Sequence, residues 1–266
     1  MKIFHPKCSI VVLLLLVALT AQAQNRASFR YKLKQTRITS AGWTIEWNGK
    51  DPKQYEVPPN TTLKALLGAP GDQVPIDVWT FDDSHGLKGG KNYIDGTTPA
   101  NTKDGKLVLQ HPDRATLSAP IKPLCLGYEG WVFGASAVAA RVRFAFDSIP
   151  ETGVGGLSFA FYAGRIWGDA IITPRRITHF GVTAAPFLGM STTELRKNVY
   201  KDPAEWTADR TALTLTYGGH VILSRNVLGL VLSYGWESAI GPKSSQWVFG
   251  GKPWFGVGIS SGLGTF

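Results

Sequence analysis

Residues 226–237, Asn-Val-Leu-Gly-Leu-Val-Leu-Ser-Tyr-Gly-Trp-Glu, sort their side chains by size with a period of two. Leu228, Leu230, Leu232, Tyr234 and Trp236 share one parity; Val227, Gly229, Val231, Ser233 and Gly235 share the other. Strand side chains alternate between two faces, so the segment reads as a β-strand with a broad apolar face and a cramped one. A soluble sandwich puts large polar residues on its second face, whereas here the second face is merely small. Aromatics closing one end of an apolar stripe are what a strand shows where hydrocarbon meets water.

Five further segments alternate in the same way. Trp254–Phe266 places Phe255, Val257, Ile259 and Leu263 on one side. Segment 211–224 puts Leu213, Leu215, Tyr217, Val221 and Leu223 outward, and Ala212, Thr214, Thr216, Gly218, His220 and Ser224 inward. Ser224-Arg225-Asn226 joins it to the next strand as a tight hairpin turn. Phe180–Met190 carries Phe180, Val182, Ala184, Leu188 and Met190 on one face, with Pro186 among them as a weak point or bulge. Leu157–Ile172 carries Phe159 and Phe161, and Trp131–Phe146 sets Val138, Val142, Phe144 and Phe146 opposite Arg141 and Arg143. Connections 238–253 and 191–210 are long, 224–226 and 173–179 short, and 147–156 intermediate. That alternation is expected of a barrel with long outer loops and short inner turns.

The N-terminus reads as an export signal over residues 1–23: Lys2 and Lys7, the apolar run Ile10–Leu19, then Ala21-Gln22-Ala23. Removing it takes Cys8 away and leaves Cys125 alone, so no internal disulfide supports the fold. The apolar run falls short of the ~20 residues of a membrane helix, and no later segment reaches that length and apolarity. Membrane residence then requires strands closed into a barrel, the one sheet that satisfies its backbone in lipid. Residues 24–127 have a different texture, rich in Pro, Asp, Lys and Asn. Short strands are expected at Phe29–Ile38, Trp43–Trp47, Val74–Phe81 and Lys106–Gln110, with Thr61–Leu67 as one or two helical turns ending at Gly68.

With these residues in view, 128–266 resembles the small outer-membrane β-barrel proteins of Gram-negative bacteria. It shares their cleavable signal, alternating strands, loop asymmetry and C-terminal aromatic strand. The resemblance implies an all-β fold, an antiparallel up-and-down transmembrane barrel of eight strands within a range of 8 to 12. Phe266 is implied as the assembly signal read by the barrel-assembly machinery. Gly264, Gly262 and Ser260 stand where the family has apolar residues, and a bulge near Gly262–Gly264 would restore the register. Six strands are too few for the family. Two more are therefore expected from Phe29–Ile38 with Trp43–Trp47, or from Lys106–Gln110 with Thr116–Leu126, leaving the rest of 24–127 as a loop-rich insert. The implied partners are outer-membrane lipid, lipopolysaccharide and a surface or periplasmic protein. No nucleic acid is expected; without residues 1–23 the charge is 26 basic minus 19 acidic, or +7, a surplus that suits lipopolysaccharide phosphates or another acidic partner, or is simply solvated. The implied role is non-enzymatic: envelope structure, surface interaction or porin-like passage of solutes. A secreted sandwich binding carbohydrate or protein, and a barrel enzyme acting on lipid, stand as alternatives.

Charge on a lipid face at mid-depth costs roughly 2–4 kcal/mol, so Arg141 and Arg143 should point inward. Glu237 and Asp209 are candidate partners near the outer strand ends, Asp147 shares the arginines' parity, and His220 completes a polar lumen network. These groups read as lumen filling first and as an anion or headgroup site second. No metal or cofactor is expected: His85, His111, His179 and His220 have no metal-ligand spacing, and no Gly-x-Ser-x-Gly elbow occurs. Asp82, Asp83, Ser84 and His85 mimic triad components only in sequence. Asp77, Asp82, Asp83, Asp95 and Asp104 lack calcium-loop spacing, and Trp43 and Trp47 read as packing rather than a sugar platform.

Overall fold

A computed structural model describes residues 29–49, 52–57, 62–71, 73–78, 101–102, 105–111, 122–144, 152–199, 201–202, 204, 207–242 and 244–265. Residues 1–23 (read above as an export signal), Phe266, Asp147, Asp104 and the residues Asp82 to Asp95 singled out above lie outside them. The chain divides into two units: Trp131–Ile166 with Gly181–Phe266 as unit 1, and Ser28–Gly130 with Trp167–Phe180 as unit 2. Three strands belong to both: β8 (Leu124–Arg143), β9 (Thr152–Thr173) and β10 (Arg176–Leu195).

Unit 1 adds β11 (Arg210–Arg225), β12 (Leu228–Ile240) and β13 (Pro253–Thr265). Neighbours pair antiparallel in chain order, and β13 pairs back onto β8, so these six strands close part of the sheet on itself. Connections alternate as the sequence predicts. Two-residue turns fall at 174–175 and 226–227, and longer segments at 196–209 and 241–252. The second turn is Asn226-Val227 rather than Ser224–Asn226, because Arg225 pairs with Leu228 and Asn226 supplies the positive φ of 55°. Pro186 is accommodated in an unbroken β10 with its ring exposed.

Parity holds almost throughout. Leu213, Tyr217, Val221, Leu223, Leu228, Leu230, Tyr234 and Trp236 are exposed, and Leu215 and Leu232 are partly so. Ala212, Thr214, Thr216, His220, Val231, Ser233 and Glu237 are buried on the other face. Val138 departs from expectation and is buried, 1% exposed. Val257 pairs with Ala140 but Gly258 with Val138, so Ala139 is an extra residue in β8. One inserted residue flips the parity on either side of a bulge. Val138 and Arg141 therefore both point inward although their numbers differ by an odd count. The bulge expected near Gly262–Gly264 is present as a register shift at that place.

Closure uses six strands among the described residues, not eight to twelve. The N-terminal strands are not inserted between β8 and β13. They continue the sheet of unit 2 from the early part of β8: β1 (Arg30–Leu33), β4 (Leu63–Leu67), β5 (Gln73–Val78), β7 (Gly105–Gln110), β2 (Thr44–Trp47) and β3 (Lys53–Tyr55), with β6 (Asn101–Thr102) beside β7. Leu33, Ile38, Trp43, Ile45, Leu109 and Leu124 form its apolar core.

Two local expectations are overturned here. Where the sequence reads helical turns over Thr61–Leu67, the described residues Leu63–Leu67 form a strand: Leu63 and Ala65 are buried with period two and the strand pairs with β1 and β5, so sheet pairing overrides the helical propensity of Leu, Lys and Ala. The strand over Phe29–Ile38 stops at Leu33, and Gln35–Ser40 forms helix α1 with only Ile38 buried.

Gly218 and Gly235 face each other across β11 and β12, and Phe187 fills the space their missing side chains leave. A Cβ on Gly235 would lie 2.4 Å from the Tyr217 carbonyl and 2.9 Å from the Phe187 ring. Gly235→Ala is therefore expected to cost about 1–3 kcal/mol, read as a lower urea midpoint of unfolding; an unchanged midpoint contradicts this packing.

Candidate functional site

The side chains that share the inner face of the closed strands form two polar clusters in unit 1. In the first, Arg141 Nη1 donates to Glu237 Oε2 at 2.9 Å and Arg143 Nε donates to Glu237 Oε1. Arg141 Nη2 donates to Ser191 Oγ at 2.7 Å, and Arg143 Nη2 to Thr193 Oγ1 at 3.3 Å. The β8 bulge at Ala139 turns both arginines inward, and the parity of β12 brings Glu237 to meet them. Of the two candidate partners, Glu237 meets both arginines, and Asp209 is exposed beside β11.

Aromatic rings complete the arginine environment. The Arg143 guanidinium lies 5.0 Å from the Trp247 ring centre and 5.3 Å from that of Phe249, and Arg141 lies 5.8 Å from Trp254. Trp247 and Phe249 come from the 241–252 connection and pack with Leu195 and Ala212. Val248 N–H donates to Val199 C=O and Lys201 N–H to Gln246 C=O, joining the two long connections as a cap. Sequence reasoning missed this cap, because loop aromatics carry no periodic signal.

The second cluster surrounds His220. Its Nε2 lies 3.0 Å from Ser136 Oγ and its Nδ1 3.0 Å from Ser233 Oγ. A neutral imidazole donates at one nitrogen and accepts at the other, so one serine is its donor and the other its acceptor. Phe187 stacks on the ring at 3.9 Å and 8°, and Tyr162 meets it edge-on while hydrogen-bonding Ser260. His220 faces inward beside the threonines, as its parity predicts. Neither ring nitrogen meets a carboxylate, and Glu237 is held by the arginines. A serine beside a histidine that no acid orients is an incomplete version of a nucleophile–base–acid triad. Phe187 was legible as an inward-facing position of its strand; Ser136 shares the parity of Val138, which the sequence reads as outward, and faces inward only because of the bulge at Ala139.

Unit 2 has its own charged and aromatic groups. Lys64 Nζ lies 2.6 Å and Lys32 Nζ 3.4 Å from the Glu129 carboxylate. The Lys64 hydrogen bond, with the charge of both lysines, holds this carboxyl below its ordinary range despite its burial. Tyr31 Oη and His179 Nε2 share a hydrogen bond at 2.5 Å, and Phe29 and Tyr128 pack against the same imidazole. Burial pushes His179 down to about 4. Trp43 is a core residue that donates to Lys122 C=O, Trp47 is half-buried, and Asp77 is exposed. Among the described residues no three His, Cys, Asp or Glu side chains gather to hold a metal.

No protein-family model, curated protein or solved structure matches the chain.

Removing the carboxylate strands two buried guanidinium groups, so Glu237→Ala is expected to destabilise unit 1 by about 3–5 kcal/mol. Equilibrium unfolding measures this, and a loss below 1 kcal/mol would contradict the pairing. For His179 the folded value lies below the unfolded 6.5, so stability is full above that pH. It falls between pH 6.5 and about 4 as only the unfolded chain takes up the proton. Melting His179→Gln beside the wild type across this window should give a flatter profile for the variant; parallel profiles refute the assignment.

Proposed function

We propose that the protein is an integral outer-membrane β-barrel protein of the Gram-negative envelope, with the closed strands of unit 1 as its membrane anchor and unit 2 as its water-facing part. One observation carries this reading. Every exposed large hydrophobic among the described residues falls between Trp131 and Ile259; all belong to unit 1 except Trp167 and Phe180, at the two ends of the unit 2 stretch Trp167–Phe180, and none lies on β1–β7. Leu230 and Tyr234 are each 48% exposed while the opposite-parity residues Val231, Ser233 and Gly235 are buried. In water so extensive an apolar surface invites association; in hydrocarbon it is the required exterior.

Strand dimensions support the same reading. The outward stretches Leu213–Leu223 and Leu228–Trp236 match the ~9–11 residues with which a tilted strand crosses a bilayer. The stacked pair Tyr217 and Trp236, with Tyr234 edge-on to Trp236, forms an aromatic group suited to the lipid–water boundary. The strands β8, β9 and β10 are 20 to 22 residues long, roughly twice that span, and their excess is where they enter unit 2.

The role we infer is envelope structure and presentation of unit 2, without catalysis and without conduction. Arg141, Arg143, Glu237, Phe187, Tyr162 and Trp254 occupy the interior, and Trp247 with Phe249 closes over Arg143. A small barrel whose interior is filled by side chains is a packed core and not a channel.

Fractionation should place the full-length chain in the outer membrane, with different gel mobility before and after boiling. A water-soluble chain with one mobility refutes the reading. Leu230→Arg should lower the stability of the lipid-embedded protein by about 2–4 kcal/mol, and planar bilayers holding the protein should show no unitary conductance steps.

A further inference from the structure

The interior of unit 1 holds more positive charge than its own carboxylate neutralises. Arg141 and Arg143 share Glu237, and no other Asp or Glu among the described residues of that unit is buried. Around this pair, three buried polar atoms have no hydrogen-bond partner: Arg141 Nε, Trp254 Nε1 and Thr214 Oγ1. The guanidinium and indole N–H groups can only donate, and a hydroxyl can also donate. Trp254 lies against Arg141, with 5.8 Å from guanidinium carbon to ring centre. Thr214 follows Ala212 on the inner face of β11 and precedes Thr216, whose partner across β12 is Glu237.

Unpaired donors call for an acceptor, and the surplus cation beside them favours an acceptor that carries negative charge. A metal ion would need acceptors, and an apolar guest would leave the donors open. We propose that the interior of unit 1 binds one small anion, a halide or small oxyanion, against Arg141 and Trp254, with the Thr214 hydroxyl as a further donor. The site is internal: it lies beneath the cap formed by Trp247 and Phe249 and is loaded as the chain folds. Binding neutralises the charge that Glu237 leaves over and satisfies donors that the protein itself does not. The inference depends on the interior of unit 1 and not on its membrane residence, so the two fail separately.

The full-length protein, folded in sodium bromide and crystallised, should show an anomalous bromide peak within hydrogen-bond distance of Arg141 Nε and Trp254 Nε1. Its melting temperature should rise saturably with chloride against sodium isethionate at equal ionic strength. Arg143→Met keeps the Arg141–Glu237 pair but removes the surplus charge, and should raise the half-saturating chloride about tenfold or more. Trp254→Phe keeps an aromatic ring but removes one donor, and should act in the same direction. Each variant is compared between the two salts with itself, so a less stable variant stays readable. Water at these donors, bromide only on the surface (an adventitious ion only), or equal melting in both salts would overturn the proposal.

Discussion

The pairing of β13 with β8 is the interaction on which the rest of unit 1 depends. It runs from Trp254–Arg143 to Thr265–Val132 and occupies the edges that a six-stranded open sheet would leave bare. With those edges joined, each strand has one face turned to a shared interior and the other to the surroundings. The backbone needs no water to satisfy it across the closed stretch, which makes an apolar exterior admissible. The separation into bulky outside and small or polar inside is a consequence of this closure.

A ring of so few strands has little room, and its interior shows how the room is divided. Glycines at 218 and 235 make space for Phe187, which in turn stacks on His220. Large and small side chains thus interlock across the interior, as close packing demands. Above that layer the filling changes from apolar to ionic, with Arg141, Arg143 and Glu237 replacing aromatic contact by charge-assisted hydrogen bonds. Buried charges are tolerated there because each guanidinium meets a carboxylate oxygen and a hydroxyl. The aromatic rings of Trp247, Phe249 and Trp254 keep that layer from water.

Much of this arrangement was legible in the alternation of residues 211–237, because its two faces meet opposite environments and every second residue records the difference. The inward direction of Arg141, Arg143, His220 and Glu237 followed from the same parity. Val138 was misread because its orientation depends on Ala139, an extra residue that leaves no mark in composition. Leu63–Leu67 was misread because five residues carry too little periodicity to outweigh helical propensity, and only their neighbours β1 and β5 make them a strand. The number of closing strands depends on which edges meet, a long-range fact that no single segment encodes. Ser136 and Ser233 meet at His220 for the same reason: their proximity is a matter of register across the ring.

The bulge at Ala139 makes β8 unequal in its tolerance of changes in length. Deleting this single alanine would straighten the strand and bring residues on one side of it into step with the other. Either Arg141 and Arg143 would then rotate to the outside, or the half of the strand bearing Ser136 and Val138 would. A shortening that elsewhere merely trims a loop would here evert half a strand, and the chain's hold on its ionic layer rests on one methyl-bearing residue that itself touches none of it.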